Sequence, residues 1–253
     1  MRMSEGGDPT GELLTVIARR QSILNRLRQE STTKAALVSQ TDNSRSTVDR
    51  ALRRLEALNL VGYREGEYEL TATGRLALNA YDQFAARAES VVAAGELVSH
   101  LPADAPLGHA MLTDADLVFA DAGDDPSAVL RERLAGAGRV RALARRYDDA
   151  LVGLLDRYEG VDADVLLSRS GYEAAGESEA LQRATDAGVV RTVETTPYGL
   201  FVCGFDSSDE ACLAVYDDED SLRGIVRNDG TEAVAWAEKL ISEYGETARR
   251  VSR

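Results

Sequence analysis

The sequence predicts a two-domain protein of α+β and α/β character, with a helix-rich N-terminal domain and a C-terminal α/β sandwich. Its 253 residues are enough for two domains of ordinary size. A hydrophobic fraction of 44% is enough to build two cores. The apolar pattern also changes along the chain, from helical spacing before residue 60 to alternating strands and helices after about residue 107.

The N-terminal part is expected to contain three helices and then a β-hairpin. Two glycines and a proline make residues 1–10 a predicted flexible tail. The predicted elements that follow are helices over residues 11–29, 33–40 and 44–58 and two short strands within residues 61–70. Glu65 and Gly66 are the predicted turn between those strands.

The predicted helix over residues 44–58 has an apolar face and a cationic face. Ser44 is its predicted N-cap, because a short hydroxyl side chain can accept hydrogen bonds from the first turn. Its apolar residues recur at spacings of four and three, namely Val48, Leu52, Leu55 and Leu58. Ser46, Arg50 and Arg53 fall on the opposite side. Taken alone, this pattern also fits an ordinary surface helix with solvated arginines.

The charge of the chain is unevenly distributed. A net charge of −14 argues at first against nucleic acid, since phosphate binding depends on Lys and Arg. Residues 11–64, however, carry ten basic and five acidic side chains, whereas residues 65–253 carry 18 basic and 36 acidic ones. Positive charge is therefore concentrated in the segment that contains the cationic helix.

Lys34 and Lys239 are the only lysines among the 29 basic residues. Acid-rich, lysine-poor chains resemble those of salt-loving archaea. In molar salt the screening length is only ~3 Å, so affinity for DNA would have to come from close contacts.

Residues 23–78 resemble the winged helix-turn-helix domain of bacterial and archaeal transcription regulators. The motifs that carry the resemblance are Ser44-Arg-Ser-Thr-Val48, Leu52-Arg-Arg-Leu55 and Tyr68-Glu-Leu-Thr-Ala-Thr-Gly74. Asn59 stands where many relatives have glycine at the helix end, and asparagine can also adopt the left-handed conformation required there. The resemblance implies that residues 11–78 form a domain that binds double-stranded DNA.

The expected DNA contacts come from the third helix and the hairpin, or wing: Ser44, Arg45, Ser46, Thr47, Arg50, Arg53, Arg54 and Arg64. The N-terminal residues of the helix are expected near base edges or phosphates, with Arg50 deeper in the major groove. Arg53 and Arg54 are expected at the DNA backbone. Arg64 would reach an adjacent groove or phosphate.

Residues 79–104 are predicted to form a linker or dimerisation helix. Thr73 is its expected cap, and the helical pattern continues to about His100. Its length and small apolar face fit a connector between domains or a contact in a homodimer, and both interpretations remain open.

Residues 105–253 are expected to form the α/β effector-binding domain. Two predicted strands, residues 108–112 and 116–120, are assigned to a hairpin. The other predicted elements are helices over residues 127–134, 143–158, 178–187 and 231–246 and strands over residues 163–167, 188–193, 199–204, 211–216 and 222–226.

The motifs Gly224-Ile-Val-Arg-Asn-Asp229 and Ala233-Val-Ala-Trp-Ala-Glu238, with Tyr244, resemble the end of the middle domain of Fil-type archaeal methanogenesis regulators. Such regulators join a winged helix to this domain. The resemblance implies a homodimeric, DNA-binding transcription regulator whose second domain responds to a small-molecule effector.

The effector site is expected at the carboxyl ends of strands, where α/β sheets tend to bind ligands. The candidate contacts are Arg146, Tyr147, Arg169 and Asn228, with Arg145 as a further anion contact. The alternative for each arginine is a surface ion pair in a protein rich in Asp and Glu.

No catalytic site, cofactor or metal is expected. His100 and His109 lack the spacing of a zinc site, and Gly136-Ala-Gly138 lacks the third glycine of a dinucleotide fingerprint. Without a bilayer-spanning apolar run or a signal peptide, the protein is expected to be cytoplasmic. Two alternatives remain: a winged-helix protein-interaction module, and a redox sensor that uses Cys203 and Cys212.

Overall fold

The computed structural model describes residues 8–120 and 123–250, which form two compact units that divide between Ala86 and Arg87. Residues 1–7 of the predicted tail lie outside the described residues. The helices are α1 Pro9–Gln29, α2 Lys34–Gln40, α3 Arg45–Ala57, α4 Ala72–Val98, α5 His109–Leu112, α6 Pro126–Gly136, α7 Asp149–Leu155, α8 Arg169–Ala174, α9 Glu179–Asp186 and α10 Thr231–Thr247. The strands are β1 Val61–Arg64, β2 Glu67–Leu70, β3 Asp116–Phe119, β4 Arg139–Ala144, β5 Asp162–Ser168, β6 Val190–Val193, β7 Gly199–Gly204, β8 Asp209–Tyr216 and β9 Leu222–Asn228.

The N-terminal unit contains the three helices and the hairpin that the sequence predicts. Helix α1 begins at Pro9, two residues earlier than expected, with Asp8 as its N-cap. Thr33 caps α2, and the Ser44 hydroxyl accepts a hydrogen bond from the Thr47 amide at 3.2 Å at the start of α3. The predicted start of α3 is therefore confirmed.

Strands β1 and β2 pair in antiparallel register, with Tyr63 opposite Tyr68. Glu65 and Gly66 connect them with positive φ angles of 55° and 92°. Two left-handed residues give a turn whose twist matches that of the paired strands. Thr32 adds a bridge to Tyr68 on the other side of β2, which ties the hairpin to the segment between α1 and α2.

The junction between α3, the hairpin and α4 depends on three residues. Asn59 ends α3 in the predicted left-handed conformation, with φ 55°. Thr71, and not Thr73, caps α4: its hydroxyl accepts from the Gly74 amide at 2.9 Å and donates to the Asn59 carbonyl at 2.6 Å. Gly74 is required because a Cβ there would collide with the main chain of Leu60.

A single apolar core holds this unit together. The α3 residues Val48, Ala51, Leu52 and Leu55 are fully buried in it. They pack among apolar side chains of α1, α2, the hairpin and α4, which include Ile17, Ile23, Leu24, Leu27, Leu37, Leu60, Val61, Leu70 and Leu78. The apolar face of α3 is thus buried in the core, as the spacing of its residues predicts.

The C-terminal unit is built on a seven-stranded mixed sheet in the order β3-β9-β8-β7-β4-β5-β6. Strands β4, β5 and β6 are parallel to one another, and the remaining neighbours are antiparallel. One face of the sheet packs against α6, α7 and α9. The other face packs against the end of α4, α5 and α10. The result is the predicted mixed α/β sandwich with helices on both faces.

Two predictions for residues 108–120 were wrong. Residues 109–112 form the short helix α5 instead of a strand, and β3 pairs with β9 instead of forming a hairpin. Asn228 stabilises this region by donating to the carbonyl oxygens of Ala110 and Thr113, at 3.1 and 2.7 Å.

The helix predicted over residues 143–158 was also wrong at its start. Leu143 belongs to β4, and α7 begins only at Asp149. Strand β4 lies between β7 and β5, so Ala142, Leu143 and Ala144 are all buried. A short continuous apolar run of this kind has no period that separates a central strand from a buried helix.

Candidate nucleic-acid interface and effector cavity

The cationic face of α3 is open to solvent. Arg45 and Arg50 are exposed, and the Arg53 side chain is 77% exposed. Arg50 makes a 3.4 Å hydrogen bond from its Nε to the Ser46 carbonyl. Within residues 8–120 and 123–250, neither Arg45 nor Arg50 forms an ion pair. Their guanidinium groups are therefore available to an external anion.

Three hydroxyl groups cluster at the N-terminus of α3. The Ser44 Oγ lies 3.0 Å from the Ser46 Oγ and 2.9 Å from the Thr47 Oγ1. They surround the first turn, where the main-chain N–H groups and the helix dipole favour negative charge. The end of the helix that carries Arg45 is therefore polar and electropositive.

Sequence reasoning missed a carboxylate within this face. Asp49 accepts a hydrogen bond from the Lys34 ammonium and pairs with the Arg53 guanidinium at 3.3 Å. The Lys34 hydrogen bond lowers the pKa of Asp49, and Asp49 in turn raises the pKa of Lys34. The spacing of four residues between Asp49 and Arg53 is a signal that could have revealed this pair.

The other two predicted DNA contacts differ in their surroundings. Arg54 forms an ion pair with Glu12 of α1, so its guanidinium already has an internal acidic partner. Arg64 on the wing is 79% exposed and lies 4.0 Å from Glu69, at the limit of an ion pair. Of these two side chains, Arg64 is the one that can reach outward freely.

In the C-terminal unit, a cavity of about 480 Å³ lies at the carboxyl ends of several strands. Its lining comes from the segment after β4, the start of α8 after β5, the segment after β6 and the turn after β8. The residues are Pro102, Arg145, Arg146, Tyr147, Ser168, Ser170, Gly171, Ala174, Thr195, Thr196, Pro197 and Asp220. This is the sheet edge at which a ligand was expected.

The structure brings only two of the four predicted effector contacts to this cavity, Arg146 and Tyr147, together with Arg145. Arg169 points elsewhere and pairs with Glu194 at 3.3 Å. Asn228 is buried, and its amide binds the main chain around α5 and at Gly230. Asp220 was missed, because it lies in an acidic turn distant in sequence from the arginines that it contacts.

The buried hydroxyl groups of the cavity serve the main chain. Ser168 caps α8 by accepting from the Gly171 amide at 2.9 Å, and it donates to the Arg145 carbonyl at 2.6 Å. Gly171 allows this approach, since a Cβ there would lie 2.6 Å from the Arg145 carbonyl oxygen. These bonds hold the ends of β4 and β5 in a fixed relation.

Cys203 and Cys212 are free, buried thiols in the core of the sheet. Cys203 lies opposite Glu210 and Cys212 opposite Phe201, so the two cysteines are diagonal neighbours on β7 and β8. A hydrogen bond with Cys203 and burial raise the pKa of Cys212. Thiol reactivity requires the thiolate, so this environment suppresses it.

Among the described residues, no three or more His, Cys, Asp or Glu side chains lie together so that they could hold a metal ion. None of the helices placed by the structure is both long and apolar enough to cross a membrane.

Two family models match the chain. The model of the HVO_A0261 N-terminal domain matches residues 10–92, and that of the middle domain of the methanogenesis regulatory protein FilR1 matches residues 124–247. The second match confirms the expected similarity of the C-terminal part to a Fil-type middle domain. No curated protein matches the chain.

Among solved structures, the archaeal chromatin protein TrmBL2 is 16% identical, with 95% of this chain and 99% of that chain covered and a TM-score of 0.42. A phospholipase D family member, Nuc from Salmonella typhimurium, is 12% identical over 55% of this chain and 98% of that chain, with a TM-score of 0.41. At such low identities and TM-scores, these two structures do not indicate the function of this chain.

Proposed function

We propose that this chain, which joins an HVO_A0261-type N-terminal domain to a domain similar to the FilR1 middle domain, is a DNA-binding transcription regulator. The observation that carries the proposal is the exposed cationic face of α3, backed by a fully buried apolar face, in a chain that is otherwise acidic. Phosphate groups are the ligands that such a face attracts.

In this proposal the N-terminal unit acts as a winged helix-turn-helix. The N-terminal part of α3 enters the major groove, with Arg45, the nearby hydroxyl groups and Arg50 at base edges or phosphates. Arg53 and the wing residue Arg64 contact the DNA backbone. Arg54 contributes less to DNA binding in this proposal, because its guanidinium is paired with Glu12 of α1.

We extend the proposal to a homodimer. Leu76 and Phe84 on α4 are 72% and 57% exposed, and with Ala80 they repeat every four residues along one side of the helix. Large apolar side chains aligned on an exposed helical face favour packing against another helix. A second copy of the chain would then place two copies of α3 on two half-sites of a palindromic operator.

The C-terminal unit is proposed to bind a small-molecule effector that changes the affinity for DNA. The cavity at the carboxyl ends of the strands supports this role by its position and its two arginines. As part of the same proposal the chain has no catalytic activity and belongs to a salt-loving archaeon, an origin that its acid-rich, lysine-poor composition supports.

Selection of bound duplexes from a random library, followed by sequencing, tests the proposal. The full-length protein is expected to enrich one motif, with two inverted half-sites about 10 base pairs apart from centre to centre. The selection is done in low and in molar salt, since steering over long distances is lost in the latter. Recovery of the input library without enrichment in both conditions would contradict sequence-specific binding.

A further inference from the structure

Two guanidinium groups converge in the effector cavity over one aromatic ring. The Cζ atoms of Arg145 and Arg146 lie 5.9 and 6.0 Å from the ring centroid of Tyr216. Burial raises the pKa of Tyr216, so its ring is an uncharged platform. In a chain with a net charge of −14, two arginines side by side in one cavity form a local site for an anion.

In this structure the carboxylate of Asp220 occupies the site for that anion. Arg145 donates from Nε and Nη2 to the Asp220 Oδ1, at 2.9 and 2.7 Å. Arg146 donates to the main-chain carbonyl of the same residue. Asp220 thus engages both guanidinium groups, one through its carboxylate and one through its backbone.

Asp220 reaches the cavity from an exposed turn. Its side chain is 52% exposed, and its φ of 61° lies in the left-handed region. The Asp217 carboxylate accepts from the amides of Glu219 and Ser221, at 3.0 and 2.8 Å, and so shapes the turn. An exposed carboxylate on a guanidinium is a weak contact that another carboxylate can replace.

We propose that the effector is a small organic carboxylate and that it takes the place of the Asp220 carboxylate on Arg145. A planar carboxylate matches the fork of a guanidinium group, and the resident group already has this chemistry. Arg146 supplies the second positive charge, and the exposed Ser170 and Thr195 offer hydroxyl groups to polar substituents of the ligand. The carboxylate-binding site is inferred from the cavity itself. Only its role in controlling DNA affinity rests on the proposed function.

Release of Asp220 has a structural consequence. The turn that carries it lines a second cavity, of about 520 Å³, together with the segment Ser99–Pro102 that directly follows α4. Arg145 and Pro102 line both cavities. Movement of the turn would therefore change the packing around the end of α4.

Isothermal titration calorimetry of the full-length protein with citrate as the carboxylate probe tests the site. Glucose is the uncharged probe, and ionic strength is held constant with sodium chloride. Citrate is expected to bind with a Kd on the order of 1 mM or tighter. Arg146→Ala should weaken binding by about tenfold, which is the loss of one charge-assisted contact of about 1.4 kcal/mol.

The Asp220→Asn variant shows whether citrate replaces the Asp220 carboxylate on Arg145 or binds beside it. Asparagine also tolerates a left-handed backbone, so the turn is kept while the competing charge is removed. Citrate affinity should then rise by about threefold to tenfold, opposite in direction to the effect of Arg146→Ala. Arg169→Ala is the matched control, because it removes an exposed arginine just outside the cavity and should leave affinity unchanged.

A thermal melt confirms that each variant is folded. The proposal is overturned if wild type and Asp220→Asn both fail to bind citrate below ~10 mM, if Asp220→Asn weakens binding, or if glucose binds as tightly as citrate. The affinity for the selected DNA duplex, measured with and without citrate, separately tests whether the bound anion is an effector.

Discussion

The arginines of α3 and those of the C-terminal sheet have the same chemistry in opposite surroundings. In the sheet, Asp164 pairs with Arg141 and Arg191 at 3.2 and 2.8 Å, and Arg139 pairs with Asp209 at 2.7 Å. On α3, Arg45 and Arg50 extend into solvent with no acidic partner in the parts of the chain described here. Asp and Glu side chains of the C-terminal half pair with several of its own arginines, whereas Arg45 and Arg50 of the N-terminal unit stay open to an external anion.

This comparison explains why the total charge of the chain is a poor guide to its partner. Attraction between exposed charges falls off within a screening length, so DNA responds to the face that it contacts and not to the total charge of the chain. An acidic protein can therefore bind DNA when part of one helix face keeps its arginines free of acidic partners, as Arg45 and Arg50 are in the described structure.

Leu52→Ala should have the largest effect, because it removes the packing that holds the cationic face outward. Leu52 is 1% exposed, and truncation of such a leucine costs about 2–5 kcal/mol of unfolding free energy. Amide hydrogen exchange of α3 in the full-length protein measures the loss. Leu52→Met is the matched control and should keep most of the protection; equal protection in wild type and Leu52→Ala would refute the role of this core.

Arg50→Ala should weaken binding to the selected duplex by about tenfold to a hundredfold, since one good arginine contact to DNA is worth about 1–3 kcal/mol. Arg131→Ala removes an exposed arginine of the acidic domain and should change affinity less than twofold. Mobility-shift titrations compare the two variants. Equal losses in both would remove the basis for distinguishing the two sets of arginines.

Asp49→Asn should strengthen DNA binding by about threefold to tenfold, because it releases Lys34 and Arg53 from an internal carboxylate. Glu56→Gln is the control: it removes one negative charge from the same helix without breaking an ion pair in the described structure. If both variants bind equally tightly, general electrostatics and not release of the two cations would explain the gain.

The smallest effect concerns the titration of Asp49. Because the pKa of Asp49 is lowered, the Lys34 contact stabilises the folded protein at pH values above the ordinary pKa of aspartate. This stabilisation is lost as the pH falls through the lowered pKa of Asp49. Carbon-detected NMR of the Asp49 carboxyl group should give a pKa below that of a free aspartate. Lys34→Met should raise it; a pKa that does not move would mean that the contact is absent in solution.

The elements of the N-terminal unit were predictable because local chemistry and tertiary packing agree there. Ser44, the leucine spacing of α3 and the Glu65-Gly66 turn each specify local structure, and each is found in the predicted role. The capping of α4 was not predictable from spacing alone, because Thr71 is selected over Thr73 by a contact with Asn59 at the end of α3.

The cavity of the C-terminal unit was only partly predictable. Arg146 and Tyr147 were predicted as anion contacts near the sheet, although they and the last two residues of β4 fall within a predicted helix over residues 143–158. Asp220 could not be found, since its approach to Arg145 requires the order of β8, β7 and β4 in the sheet. Which charged side chains pair across a sheet depends on the order of its strands, and local sequence patterns do not give that order.

The dependence of DNA affinity on salt tests whether the exposed arginines of α3 and the hairpin contact DNA. Binding of the full-length protein to the selected duplex is measured across a series of salt concentrations. If Arg45, Arg50, Arg53 and Arg64 contact phosphates or bases as proposed, log K should fall with log salt at a slope of about −3 or steeper per copy, and Arg53→Ala should reduce its size by about 1. A slope near zero would contradict DNA recognition by this face and favour a protein-interaction module instead.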